Sequence, residues 1–263
     1  MENTLLLESI ADQRKEVAKL LLKQPGINVN KQGAKGRTAL MLAIYKGYDD
    51  IVKMLLEKPI DVNIQNEEGE TALMLAINKG YDDIKIIHML LEREDIDVNI
   101  STKNGDTALM YAAFSGDKKI VDLLLKKVQE NDVNIRDDMG HTMLMRLAAK
   151  GYDGACKMIL DKGADINAID SIGNTALMYA VWAEHIDVIK LLLDRVKFLL
   201  NKNINFNKKD SFGNTALIYA AEEGHAKIVN LLLNLPGIDI NAKNSEEETA
   251  LDCAKRKGRR RVI

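Results

Sequence analysis

Four histidines (His88, His141, His185, His225) and two cysteines (Cys156, Cys253) are the residues of this chain best suited to acid–base, nucleophilic or metal chemistry. Their spacing supports none of it. Nucleophilic catalysis needs a nucleophile, a base and an orienting group held together. No H-E-x-x-H, P-loop, G-x-S-x-G or G-x-G-x-x-G pattern occurs. No Cys/His cluster has zinc spacing. Carboxylates are scattered without a paired acid/base signature. Asp137 and Asp138 near His141 are the residues an enzyme hypothesis would have to use, and His141, at a turn edge, is expected to be solvated. Cys156 takes the slot that Val52 and Val121 fill elsewhere, as a small buried hydrophobe would. No catalytic, metal or cofactor site is expected.

Binding chemistry is the stronger prospect, and composition bounds it. Thirty-seven Lys and Arg against 39 Asp and Glu give a net charge of -2, so a basic nucleic-acid binder is not the default. Lys255, Arg256, Lys257, Arg259, Arg260 and Arg261 form one basic tail. Such a cluster can hold nucleic acid, but it also caps helix carbonyls and solubilises an exposed end, which is the preferred reading. No apolar run reaches the ~18 residues of a membrane span. The charged N-terminal stretch MENTLLLESIADQRKEVAKL is not expected to be a signal peptide. Free thiols and the absent signal point to the cytoplasm; non-classical secretion would leave no readable trace. The formal sequon Asn99-Ile100-Ser101 carries little weight in that setting.

The elements that must position any binding residue come from a repeat. Thr-Ala-Leu recurs at Thr38, Thr71, Thr107, Thr142 (as Thr-Met-Leu), Thr175, Thr215 and Thr249, in steps of 33, 36, 35, 33, 40 and 34 residues. Thr4 begins a weaker copy. Asn30, Asn63, Asn99, Asn134, Asn167, Asn207 and Asn241 each lie eight residues before the next Thr, so the segment between tolerates no length change. Tight turns behave in that way, whereas helix ends and loops absorb insertions. A glycine two residues before Thr supplies the turn conformation. Thr sits where a helix N-cap is expected. A second glycine, nine after Thr, stops the short first helix in left-handed geometry. A second helix follows, with apolar pairs such as Ile51, Val52, Leu55 and Leu56. No unit of ~33 residues buries its own apolar face, so neighbours must stack into one elongated domain.

These residues resemble the ankyrin repeat, whose pattern is roughly D-x-x-G-x-T-P-L-H-x-A-A-x-x-G-H followed by an apolar helix and G-A-D-V-N. KDSFGNTALIYAAEEGHAKIVNLLL and LDKGADINA match it closely, and the match covers essentially the whole chain. The resemblance implies an all-α fold, an ankyrin-repeat solenoid of stacked helix-turn-helix units with projecting β-turn fingers. It divides the chain into an N-terminal cap (1–32), repeats at 33–65, 66–101, 102–136, 137–169, 170–209 and 210–243, and a partial cap with the basic tail (244–263). The repeat at 170–209 carries the longest insertion. Leu192, Val196, Leu199 and Leu200 keep helical spacing there, so its second helix is expected to run about two turns longer. The family proline is replaced by Ala or Met. The family histidine becomes Met41, Met74, Met110, Met145, Met178 and Ile218, expected to pack in the core. His185 and His225 occupy the Gly-His position and are expected to be structural.

In the family, turn tips and the exposed side of the first helices bind protein partners on a concave face. Carried over position by position, that face includes Tyr45, Phe114, Trp182 and Glu222 on the helices, and Met139, Ile172 and Phe212 at the tips. Glu184 stands at a helix-stop glycine position beside Trp182, where a left-handed conformation costs roughly 1 kcal/mol. The implied function is a non-enzymatic, monomeric scaffold for a protein or peptide. The alternatives are a regulatory or inhibitory subunit or host-directed effector acting on an enzyme, then an unfamiliar enzyme, then nucleic-acid binding through the tail.

Overall fold

The computed structural model describes residues 2–79, 84–129, 132–198 and 205–262, with the side chains of 2–4 and 196–198 outside the description. Two compact units emerge, residues 1–128 and 129–263. The first holds α1 (Glu2–Ala11), α2 (Lys15–Leu22), α3 (Ala39–Lys46), α4 (Asp49–Leu56), α5 (Ala72–Asn78), α6 (Ile84–Leu91), α7 (Ala108–Ser115) and α8 (Lys118–Leu125). The second holds α9 (Met143–Ala149), α10 (Asp153–Asp161), α11 (Ala176–Trp182), α12 (Ile186–Phe198), α13 (Ala216–Glu223), α14 (Ala226–Leu233) and α15 (Ala250–Arg256). The described residues are all-α, with a short 3-10 turn and two isolated bridges besides.

The repeat dictates each helix boundary. Every expected Thr caps its helix: the hydroxyls of Thr38, Thr71, Thr107, Thr142, Thr175, Thr215 and Thr249 accept the N–H three residues on, at 3.3–3.4 Å. Gly47, Gly116 and Gly224 stop α3, α7 and α13 in left-handed geometry. Glu184 adopts the same geometry at φ 58, as its position in the repeat requires. α12 spans 13 residues, against nine for α10. Of the expected extension, Leu199 and Leu200 lie outside the described residues.

First helices stack on first helices within each unit. α3 packs between α1 and α5, and α11 between α9 and α13. Close approach follows from alanine: Ala43, Ala76, Ala112, Ala180, Ala220 and Ala254, all five after the capping Thr, have no exposed surface. The six residues replacing the family histidine are buried as expected, none above 3% exposed. Removing several methyl groups at such positions costs about 2–5 kcal/mol.

The asparagine marker also acquires a cause. Asn63 donates to the Asp95 carbonyl at 2.6 Å and accepts the Asp97 N–H at 2.9 Å. Asn134 does the same to Gly163 and Asp165, and Asn207 to Gly237 and Asp239. One amide thus satisfies a donor and an acceptor in the next repeat, which neither Asp nor a hydroxyl does with that reach.

Candidate functional site

The turn before each capping Thr is the rigid part of the surface. In the second unit, Asp170 Oδ1 accepts the N–H groups of Ile172 and Asn174 at 3.0 and 2.8 Å, and Asp210 Oδ1 accepts those of Phe212 and Asn214. Asp137 treats Met139 and His141 alike. Each turn then bonds to the next. Ser171 N–H donates to the Met139 carbonyl (2.9 Å), Ser211 to Ile172 (2.7 Å) and Ser245 to Phe212 (2.8 Å). The tip backbones are pinned in a row. Met139, Ile172 and Phe212 are 55%, 43% and 59% exposed.

Trp182, the sole tryptophan, ends α11 and is 63% exposed. It lies three residues beyond Tyr179, hence on the same helix face. Glu222 is differently placed. It is half-buried, and its carboxylate pairs with Arg256 at 3.3 Å and Lys257 at 3.5 Å. In the first unit Tyr45 is exposed, with Arg37 and Lys79 over its ring at 4.8 and 4.0 Å. Phe114 is also exposed, at the end of α7.

Behind the tips runs a polar ladder. Tyr179 donates to Asp170 Oδ2 at 2.6 Å, Tyr219 donates to Asp210, and Arg146 pairs with Asp137. In all three the partners are nine residues apart, a spacing visible in the sequence though not singled out there. Burial, then the neighbouring carboxylate, pushes the Tyr219 phenol up to about 12 and drives Tyr179 further up still. Burial opposes ionisation of Asp137, but Arg146 and His141 outweigh it and hold the carboxyl below the ordinary carboxylate range.

His141 corrects the expectation of a solvated ring. Its side chain is only 17% exposed, and its Nδ1 lies 3.0 Å from Asp137 Oδ2. Its Nε2 lies 2.9 Å from the Tyr179 hydroxyl. The buried Asp137 carboxylate demands partners, and the ring is drawn in between it and the Tyr179 hydroxyl, which itself donates to Asp170. Asp170 already accepts from two backbone N–H groups, Tyr179 and the Asn174 amide at 3.2 Å, so its lone pairs are occupied. Among the described residues no three His, Cys, Asp or Glu side chains converge as a metal site would require.

His185 and His225 sit at equivalent positions with unequal bonding. His185 Nε2 reaches the Ala149 carbonyl at 3.1 Å. His225 Nε2 is buried without a hydrogen-bond partner among the described residues, and its Nδ1 lies 3.7 Å from Glu184 Oε1. In the tail, Arg259 Nε donates to the Glu222 carbonyl at 2.8 Å and so caps the end of α13. Arg256 is bound to Glu248 at 2.9 Å.

Fixed turns, capped helix pairs and a translational ladder of side-chain amides define a tandem-repeat protein of the helix-turn-helix type. The family model for ankyrin repeats (3 copies) matches residues 1–66, 58–137, 128–196 and 193–263. The chain therefore belongs to the ankyrin repeat family, whose repeats are generally protein–protein interaction modules. It is similar to human ankyrin repeat and KH domain-containing protein 1 and to the Drosophila melanogaster ankyrin repeat and KH domain-containing protein mask, at 38% identity over 86 residues in each case. Those 86 residues are 32% of this chain and only 3% and 2% of the relatives. No helix among the described residues is long and apolar enough to cross a membrane.

Proposed function

We propose that the protein is a non-enzymatic binding scaffold whose turn tips and first-helix faces dock a partner protein or peptide. One observation carries this reading. Met139, Ile172 and Phe212 are exposed apolar side chains on three consecutive turns whose backbones are tied together by hydrogen bonds. Clustered exposed apolar groups mark contact surfaces. Trp182 adds an aromatic anchor on α11, of the kind whose truncation costs about 2 kcal/mol or more at an interface. A surface fixed before binding loses little ordering entropy on docking. Tyr45 and Phe114 are further exposed aromatic side chains on the first unit. Glu222, neutralised by its own chain, serves as a rim residue rather than an anchor.

The test is affinity purification from the native source with the wild type beside a Trp182→Ala, Phe212→Ala variant, each checked by thermal melting. The reading expects the variant to lose its partner while keeping its melting temperature. Parallel loss of stability and binding would assign both side chains to the fold instead.

A further inference from the structure

Two cations of the first unit converge on one exposed aromatic ring, and neither has a carboxylate of its own. Tyr45, in the last turn of α3, is 44% exposed. The Arg37 guanidinium comes from the turn before α3 and lies 4.8 Å from the ring centroid. The Lys79 ammonium comes from the residue that closes α5 in the next repeat and lies at 4.0 Å. Among the described residues neither cation forms an ion pair, and Arg37 Nε is buried with no hydrogen-bond partner. Arg93, Arg195 and Arg256, by contrast, each hold a carboxylate.

The repeat explains why the chain does not supply the missing anion itself. Glu70 stands in the next repeat where Arg37 stands in its own, one residue before the capping Thr. Its carboxylate is taken: the Asn66 amide donates to it at 2.8 Å and the Tyr111 hydroxyl at 3.3 Å. Two like charges against one ring repel, and the π-face offsets only part of that cost. The stack of Lys15 on Tyr48, at 4.1 Å, serves packing, because the Tyr48 ring is buried. The Tyr45 ring is open to solvent, and its hydroxyl has no partner among the described residues. Lys35, exposed in the same turn as Arg37, adds positive charge, and the exposed Glu67 and Glu68 of the next turn keep the positive ground local.

We propose that Arg37, Tyr45 and Lys79 form a seat for a carboxylate side chain, aspartate or glutamate, on a docked segment of a partner protein. The two cations supply the charge and the phenol a further donor. One guanidinium, one ammonium and one phenol match the two oxygens of a carboxylate, whereas phosphate sites add backbone N–H groups or clustered arginines. The seat extends the docking reading to the first unit and rests on it for the occupant being a protein segment. It uses neither Trp182 nor the turn tips of the second unit.

A peptide carrying a neutral dye and the run Leu-Glu-Glu-Leu serves as the probe, titrated with the full chain at low salt. A dissociation constant of about 100 μM is expected, weakened about fivefold or more by Arg37→Gln or by Lys79→Gln. Lys79 is exposed, so its variant carries the test even where Arg37→Gln lowers the melting temperature. Replacing the probe's glutamates by glutamines, or raising salt from ~50 to ~500 mM, weakens binding about tenfold. The Trp182→Ala, Phe212→Ala variant binds the probe as the wild type does, so failure of the second unit's surface and failure of this seat read out separately. The proposal is overturned if the probe fails to bind at ~1 mM, or if binding ignores both charge removals or the glutamine probe. It is overturned as well if Arg260→Gln, Arg261→Gln abolishes binding, which would seat the probe on the basic tail. A phosphoserine version of the probe that binds about tenfold more tightly than the glutamate one would also overturn it, making phosphate the ligand.

Discussion

Gly173→Ala and Glu247→Gly are opposite substitutions at one position of the repeat, and the structure gives them opposite signs. Gly173 has φ 87, and a β-carbon there would lie 2.9 Å from the Asp210 Cα of the next turn. The left-handed conformation costs alanine about 1 kcal/mol. Relieving the backbone clash pushes the turns apart and weakens the bond between Ser211 N–H and the Ile172 carbonyl, a further ~1 kcal/mol. Restricting the unfolded chain returns about 0.5 kcal/mol. Gly173→Ala should therefore destabilise by ~1.5 kcal/mol or more. Glu247 has φ 59 and meets no following turn among the described residues. Its exposed pairing with Lys243 contributes little. Relief of strain exceeds the gain in unfolded-state freedom, so Glu247→Gly should stabilise by ~0.5 kcal/mol. Urea unfolding followed by circular dichroism measures both. A Gly173→Ala midpoint equal to wild type, or a clear loss of stability in Glu247→Gly, would refute the account of the turn stack.

Other outcomes are equally specific. Tyr179→Phe strips one donor from the buried Asp170 and the oxygen that meets His141; chemical denaturation should show a loss of about 1–3 kcal/mol. The depressed Asp137 carboxyl contributes stability that is fully present above the ordinary aspartate pKa and is lost as pH falls through its lower folded value. Acid unfolding should accordingly be shallower in Arg146→Met, which removes a cause of the depression and is less stable at neutral pH. Burial pushes the Cys156 thiol up to about 12 and Cys253 up to about 11. Neither should react with a disulfide reagent at pH ~8 until urea is added, and rapid labelling of the native protein would contradict their placement.

Repeat-borne features were legible because they recur. Seven capping threonines, the turn glycines and the asparagine ladder each do one job many times, so spacing alone exposes them. Glu184 was legible as a departure: the frame demanded a left-handed residue, and the chain adopts one there. Single-copy features were not. His141 looked like a solvated turn residue because nothing local reveals that Asp137 and Asp170, 33 residues apart in the chain, are buried on either side of it. Glu222 looked available because its partners Arg256 and Lys257 lie in the next repeat, and nothing local ties the tail's charges to it. Ile240 and Leu251 fit the core pattern of the repeat, and nothing in their own spacing shows that they are exposed.

The sole tryptophan offers the most direct check on the binding surface. Emission of the full chain excited selectively at tryptophan, titrated with the partner recovered by affinity purification and corrected for the partner's own emission, reports on Trp182. The account predicts water-exposed emission in the free protein, then a blue shift and protection from acrylamide as the complex saturates. Emission and quenching that stay unchanged at saturation would place the contact elsewhere.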